Sequence, residues 1–231
     1  MTRMKVNYCE QCLHSPICLL SQRQAHFAQL DQFAFPAYLL NRGEHLYHQG
    51  QFSSNLYIIR TGILKSYVSK RNGDECVMRF YLPPDLFGFE SINKEKTSIS
   101  VIALDQTNIC VIPMQKIFEL VQKNPDIGNQ LLRMISKRIS QDNEIQLRTT
   151  AKQRVVTFLL ELNARYHQLG YPEDHCQLCM THQDIANYLR IQPATMSRIL
   201  HELENQNLIK IAKQLIYFYD IKTLKLMSDE K

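Results

Sequence analysis

Three cysteines stand close together near the start of the chain: Cys9, Cys12 and Cys18, in the run YCEQCLHSPICL over residues 8–19, at a spacing of Cys-x2-Cys-x5-Cys. Thiolates are soft ligands, and two of them separated by two residues approach one centre from a short loop. In a reducing compartment, clustered thiols read as metal ligands or redox groups rather than as disulfides. His14 adds a Cys3His option of the kind that structural zinc uses. The other four cysteines, Cys76, Cys110, Cys176 and Cys179, are scattered. Cys176 and Cys179 repeat the x2 spacing but fall on a predicted strand entering the C-terminal helices, where opposite faces do not chelate one ion easily. Cys76 lies on a predicted hairpin strand and reads as a small buried apolar residue. His45 and His48 lack acidic or thiol company and read as surface or packing residues.

A second constellation lies in the C-terminal third. In MTHQDIANYL over residues 180–189, Thr181 is followed three residues later by Asp184, a capping-box pattern that opens a short helix. Pro193 then suits the first turn of a second helix, whose buried face is Met196, Ile199, Leu200 and Leu203. Its opposite face carries Gln192, Ala194, Thr195, Ser197, Arg198 and His201, groups small or polar enough to enter a major groove. Thr181 and Gln183, at the start of the first helix, complete the expected DNA-facing set. Leu208–Tyr219 reads as a hairpin around Lys213–Gln214, so the order is that of a winged helix. Charge alone would not carry this reading. The net charge is +5 and the pI 8.8, but residues 152–231 hold ten Lys and Arg against nine Asp and Glu.

The elements that must position these groups follow from punctuation and period. Between about Asn41 and Met114, Gly43, Gly50, Gly62, Asn72–Gly73, Pro83–Pro84 and Gly88 break the chain into short strands, which predicts an antiparallel barrel or jelly roll. Leu56–Arg60 and Ile63–Val68 flank Thr61–Gly62 as a strand-turn-strand unit, and Asn72–Gly73 signals a hairpin. After Pro113 the period becomes helical. One long helix is predicted from Asp126 to about Leu147, with Pro125 in its first turn and with Leu132, Ile135, Ile139, Asp142 and Ile145 along one stripe. A second runs over Ala151–Tyr166 with Val155, Phe158, Leu159 and Leu162 on one face. At 231 residues, 45% hydrophobic and 21% charged, the chain has globular composition for one large domain or two modest ones. No apolar run reaches the length of a spanning helix and no apolar segment follows Met1–Lys5, so a cytoplasmic protein is expected. No nucleophile–base pair, phosphate loop or carboxylate dyad points to an enzyme.

These residues together resemble the Crp/Fnr superfamily of bacterial transcription regulators, and within it the fumarate and nitrate reduction regulators. The resemblance runs from the cysteine cluster through Leu56–Tyr67 (LYIIRTGILKSY), Asp85–Phe89 (DLFGF) and Asn108–Pro113 (NICVIP) to the helix-turn-helix over Met180–Leu200. It implies an α+β protein in four parts: a cysteine segment over 1–22, a β-barrel or jelly-roll sensor domain of the cyclic-nucleotide-binding kind over 23–124, a dimerisation helix over 125–150 and a winged helix-turn-helix over 151–231. It also implies a [4Fe–4S] cluster on Cys9, Cys12, Cys18 and Cys110, oxygen as the signal, a homodimer when cluster-loaded, palindromic double-stranded DNA and RNA polymerase as partners, and no membrane. Asp142 falls in the seam, where a two-fold axis brings it near its mate and like charge weakens the dimer; a solvated acid just off the seam is the alternative. Two departures stand out. The Arg-Ser pair that anchors a cyclic nucleotide in the superfamily's other branch is missing from KEKTSIS over residues 94–100, and Ala194 occupies the position of the family's base-reading Glu. A regulator of the same fold sensing zinc or a small ligand is the alternative function.

Overall fold

The computed structural model describes residues 2–3, 37–92 and 96–229. Cys9, Cys12, His14 and Cys18 therefore lie outside the described residues, as do the side chains of Asp142 and Ile145. The chain divides into two compact units, Met1–Leu131 and Leu132–Lys231.

In the first unit, β1 (Thr2–Arg3), β2 (Ala37–Leu40), β4 (Asn55–Thr61), β7 (Leu86–Phe87) and β9 (Thr107–Pro113) form a five-stranded antiparallel sheet in the order β1-β2-β9-β4-β7. A four-stranded antiparallel sheet, in the order β3-β8-β5-β6, is built from β3 (His45–Tyr47), β5 (Leu64–Ser69), β6 (Glu75–Tyr81) and β8 (Ser100–Ala103). Leu40, Ile59 and Ile109 from the first sheet and Leu64, Tyr81 and Val101 from the second share one buried core. Burial of each such side chain contributes about 1.5–3 kcal/mol. Tyr47, Tyr57, Phe87 and Tyr81 continue that core as a chain of rings with centroids 5.6, 5.3 and 4.6 Å apart.

The expected β-barrel or jelly roll is not formed. Among the described residues no sheet closes: β1 and β7 end one sheet, β3 and β6 end the other, and each end strand has one neighbour. The reason lies in the turns. The hairpin at Asn72–Gly73 does join β5 to β6 within one sheet, with Ser69 opposite Glu75. At Gly62, by contrast, the chain leaves the five-stranded sheet for the four-stranded one. β4 pairs with β9 and β7 rather than with β5. The architecture is α+β with two open antiparallel sheets over a common core.

Helix α1 (Met114–Lys123) follows β9, and α2 (Pro125–Leu147) begins in the first unit and continues into the second. On α2 two apolar side chains one heptad apart, Leu132 and Ile139, are exposed at 66% and 57%, and Ile135 between them is half-buried. In the second unit α3 (Ala151–Gln168) starts from a full capping box: Thr150 accepts from the Gln153 N–H, and Gln153 Oε1 accepts from the Thr150 N–H at 3.1 Å. Val155, Leu159 and Leu162 are buried on it. Then come β10 (His175–Gln177), α4 (His182–Tyr188), α5 (Pro193–Asn205), β11 (Ile209–Ala212), β12 (Leu215–Phe218) and α6 (Ile221–Asp229), with a three-stranded sheet in the order β10-β12-β11. No helix among the described residues is long and apolar enough to cross a membrane.

Candidate functional site

The candidate nucleic-acid face is built from α4, the turn after it and α5. Thr181 caps α4: its Oγ1 accepts from the Asp184 N–H at 3.0 Å and donates to Asp184 Oδ2 at 2.7 Å. The second half of the expected capping box is thus replaced by a bond between the two side chains. Leu189 ends α4, and Arg190 turns the chain with φ at +56°, in the left-handed region. Pro193 takes the first turn of α5, where its missing N–H costs nothing. Met196, Ile199, Leu200 and Leu203 are buried. Gln192, Ala194, Ser197, Arg198 and His201 are exposed, Thr195 is half-buried, and Thr181 and Gln183 are exposed at the start of α4. One helix face therefore presents small and hydrogen-bonding groups to solvent.

Two cations near the start of α3, not singled out by the sequence reading, hold this pair of helices. Arg154 Nη1 donates to the Leu189 carbonyl at 2.9 Å, satisfying an end of α4, and Lys152 Nζ donates to Glu202 Oε1 on α5 at 2.7 Å. Each pair is 35 or more positions apart in the chain, so no local pattern could have revealed it.

Cys110 lies on β9 between Ile109 and Val111, both of which face the inter-sheet core. Alternation along the strand turns Cys110 to the opposite surface of the five-stranded sheet, where it is half-buried. Its register partners are Ala37 on β2 and Ile58 on β4. Ala37 is the residue at which the described chain resumes, and Arg3 pairs with Tyr38 beside it. Arg3 and Ala37 thus lie beside or on β2, the strand adjoining Cys110. An outward, half-buried thiol is a soft ligand by chemistry, and Cys9, Cys12 and Cys18 lie outside the described residues. Among the described residues no three His, Cys, Asp or Glu side chains are grouped to hold a metal ion.

The remaining thiols differ. Cys176 and Cys179 are buried, and burial pushes the Cys176 thiol up to about 12. Its thiolate fraction near neutral pH is correspondingly small. Iodoacetamide added to the native protein at pH 8 is expected to modify Cys176 at least about a hundredfold more slowly than the half-buried Cys76. Equal labelling by mass spectrometry would contradict that burial. His45 and His48 stack at 4.1 Å, and His45 Nε2 meets the Tyr67 hydroxyl at 2.8 Å. Desolvation, with the charge of His48 as a smaller cause, holds His45 below the usual imidazole range.

Polar side chains of segment 87–100 are hydrogen-bonded within the protein. Glu90, two residues after Gly88, accepts from the Tyr47 hydroxyl at 2.6 Å. Thr97 donates to the His48 carbonyl at 2.8 Å, and Ser100 accepts from the Gln49 N–H at 2.9 Å. Both residues are buried. Lys94 lies outside the described residues.

A sheet unit followed by a long helix and a winged helix-turn-helix defines a DNA-binding regulator. Two family models match: the cyclic nucleotide-binding domain over residues 39–124 and the Crp-like helix-turn-helix domain over 153–227. The chain is 31% identical over 217 residues to the transcriptional activator protein Anr of Pseudomonas protegens, covering 92% of this chain and 89% of that protein. It is 30% identical over 213 residues to the fumarate and nitrate reduction regulatory protein of Vibrio cholerae, covering 90% and 85%. Among solved structures it resembles FixK2 from Bradyrhizobium japonicum in fold, with a TM-score of 0.76 at 22% identity over 86% of this chain and all of that one. The chain belongs to the Crp/Fnr superfamily of DNA-binding transcription regulators, alongside the Anr and fumarate and nitrate reduction proteins. It is a regulator rather than an enzyme.

Proposed function

We propose that this regulator responds to oxygen: without oxygen it carries a [4Fe–4S] cluster on Cys9, Cys12, Cys18 and Cys110, dimerises through α2 and binds palindromic promoter DNA in the cytoplasm, where RNA polymerase is its further partner. What supports the reading is the likeness to the Anr and fumarate and nitrate reduction proteins, together with the half-buried thiol of Cys110 on the outer surface of the five-stranded sheet. Four thiolates match the ligand set of a cubane cluster, and a bound cluster supplies sensitivity to oxidation and loss of iron. The chain's own part in the response is the seam. Leu132 and Ile139 bury against a second copy, and Asp142 near its mate opposes that pairing until the liganded state favours it.

The DNA contacts follow from the exposed face of α5. Arg198 takes a guanine edge, Ser197, Thr195 and Gln192 contact neighbouring bases or phosphates, and Thr181 and Gln183 reach the backbone. Ala194 can touch only a thymine methyl, so the half-site is altered or relaxed at one base pair relative to readers with Glu there.

The test is binding to a pool of randomised duplexes followed by sequencing, with protein kept anaerobic or exposed to air. Enrichment of a two-fold-symmetric site by the anaerobic protein alone is expected; equal enrichment by both samples would overturn the oxygen reading. In the same assay Arg198→Ala is expected to cost about 1–3 kcal/mol and to relax one position per half-site. Uniform weakening across all sequences would instead make Arg198 a phosphate contact.

A further inference from the structure

We infer that Lys152 is a positioning residue for DNA reading: by holding the Glu202 carboxylate it keeps the Arg198 guanidinium available to a base edge. The inference rests on the reading of Arg198 given above. Arg198 and Glu202 are one turn apart on α5, at the i,i+4 spacing at which opposite charges meet on a helix surface. Both are exposed or nearly so. Position 194, one turn earlier, is alanine, so Glu202 is the acidic side chain within a turn of Arg198 on that helix. Left to itself, that carboxylate is an acceptor for the guanidinium and competes with guanine for it.

The structure shows the carboxylate directed elsewhere. Lys152, at the second position of α3, bonds Glu202 Oε1 at 2.7 Å, whereas Arg198 makes no hydrogen bond or ion pair among the described residues. The hydrogen bond and charge of Lys152 are the main causes that hold the Glu202 carboxyl below the usual range, and the charge of Arg198 is a smaller one. Glu204 is not the competitor, because its Oε1 accepts from the Ile211 N–H at 2.9 Å on β11. Lys152 is itself fixed on α3, whose Arg154 grips the end of α4 two residues on. An exposed pair of this kind adds little to stability, so its effect is expected in recognition rather than in folding.

Removing Lys152 frees Glu202 to pair with Arg198. An exposed i,i+4 pair is worth a factor of about 1.4 to 2.3, so preference for the favoured base pair should fall by about that factor in each half-site. In a symmetric site the factors multiply, to about two- to fivefold.

The experiment uses the full-length protein, prepared anaerobically, and a pool of randomised duplexes sequenced before and after binding, with thermal unfolding of each variant as a check on folding. Lys152→Met is expected to lower preference at the Arg198-dependent base pair, Lys152→Arg to keep it, and Lys152→Met combined with Glu202→Gln to restore it. Restoration is the readout that a structural salt bridge would not give. Preference unchanged in Lys152→Met, or a double variant as weak as the single one, would overturn the inference. Arg198→Ala separates the two levels: if it alters no base preference, the reading of Arg198 fails, and if it does while Lys152→Met does not, only the role of Lys152 fails.

Discussion

Cys110→Ala, purified without oxygen, is expected to carry fewer than about one iron atom per chain where the parent carries about four. It should neither absorb broadly in the visible nor change state in air. Alanine removes the thiolate from the outer surface of β9 while leaving the strand's core-facing neighbours, Ile109 and Val111, in place. Thermal unfolding should therefore change little, and the loss of iron would report ligation rather than misfolding. Cys76→Ala is the matched control, a half-buried thiol on β6 of the other sheet, and should keep the parent's iron content. Full iron in Cys110→Ala with loss in Cys76→Ala would exchange the two assignments. Zinc on the three N-terminal thiolates and His14 would leave both variants with the parent's metal.

Gly62→Ala is expected to destabilise the first unit by about 3 kcal/mol or more, lowering its unfolding midpoint by about 10 °C. Gly62 has φ at +86°, where an L residue is strained before any contact is considered. An added Cβ would also lie against the Thr107 side chain and the Gln106 carbonyl, and 2.6 Å from Thr107 Cα. Thr107 has no room to yield: it is fully buried, and its hydroxyl donates to the Asp105 carbonyl at 2.8 Å, with the Ile63 carbonyl also within reach at 3.2 Å. Gly73, with a similar φ of +88° but nothing within 4 Å of its Cβ position, isolates the conformational part, and Gly73→Ala should cost only about 1 kcal/mol. Equal effects at the two glycines would contradict the close approach at the inter-sheet corner.

Local periodicity was sufficient for the C-terminal unit. The spacing of Met196, Ile199, Leu200 and Leu203 required one buried face, Pro193 required a first turn, and Ser197 and Arg198 came out on the opposite, exposed face. Tertiary contacts within that unit were not legible in the same way. Lys152 and Glu202 are 50 positions apart, and nothing in either neighbourhood marks the pair. For the sheets, punctuation located where the chain turns but not what each strand then pairs with. Thr61–Gly62 read as a turn between paired strands, whereas it is a corner between sheets, and β4 finds its partner in β9, which begins at Thr107. Closure of a barrel is a property of such non-local pairings, which is why it was expected and did not occur. The candidate cluster site divides similarly. The x2 and x5 spacing of Cys9, Cys12 and Cys18 is visible in the chain, while the nomination of Cys110 came from family resemblance. Its thiol is half-buried on the outer face of β9, and a strand position 92 residues after Cys18 carries no local mark of a shared ligand set.

Whether cluster state governs assembly is decided by visible absorbance with iron and sulfide content on protein purified without oxygen and again after air, each sample sedimented at once. Broad absorbance with roughly equal iron and sulfide in a dimer is expected, followed by bleaching and dissociation to monomer in air. A colourless protein whose sedimentation is indifferent to air, with zinc or no metal, would contradict it.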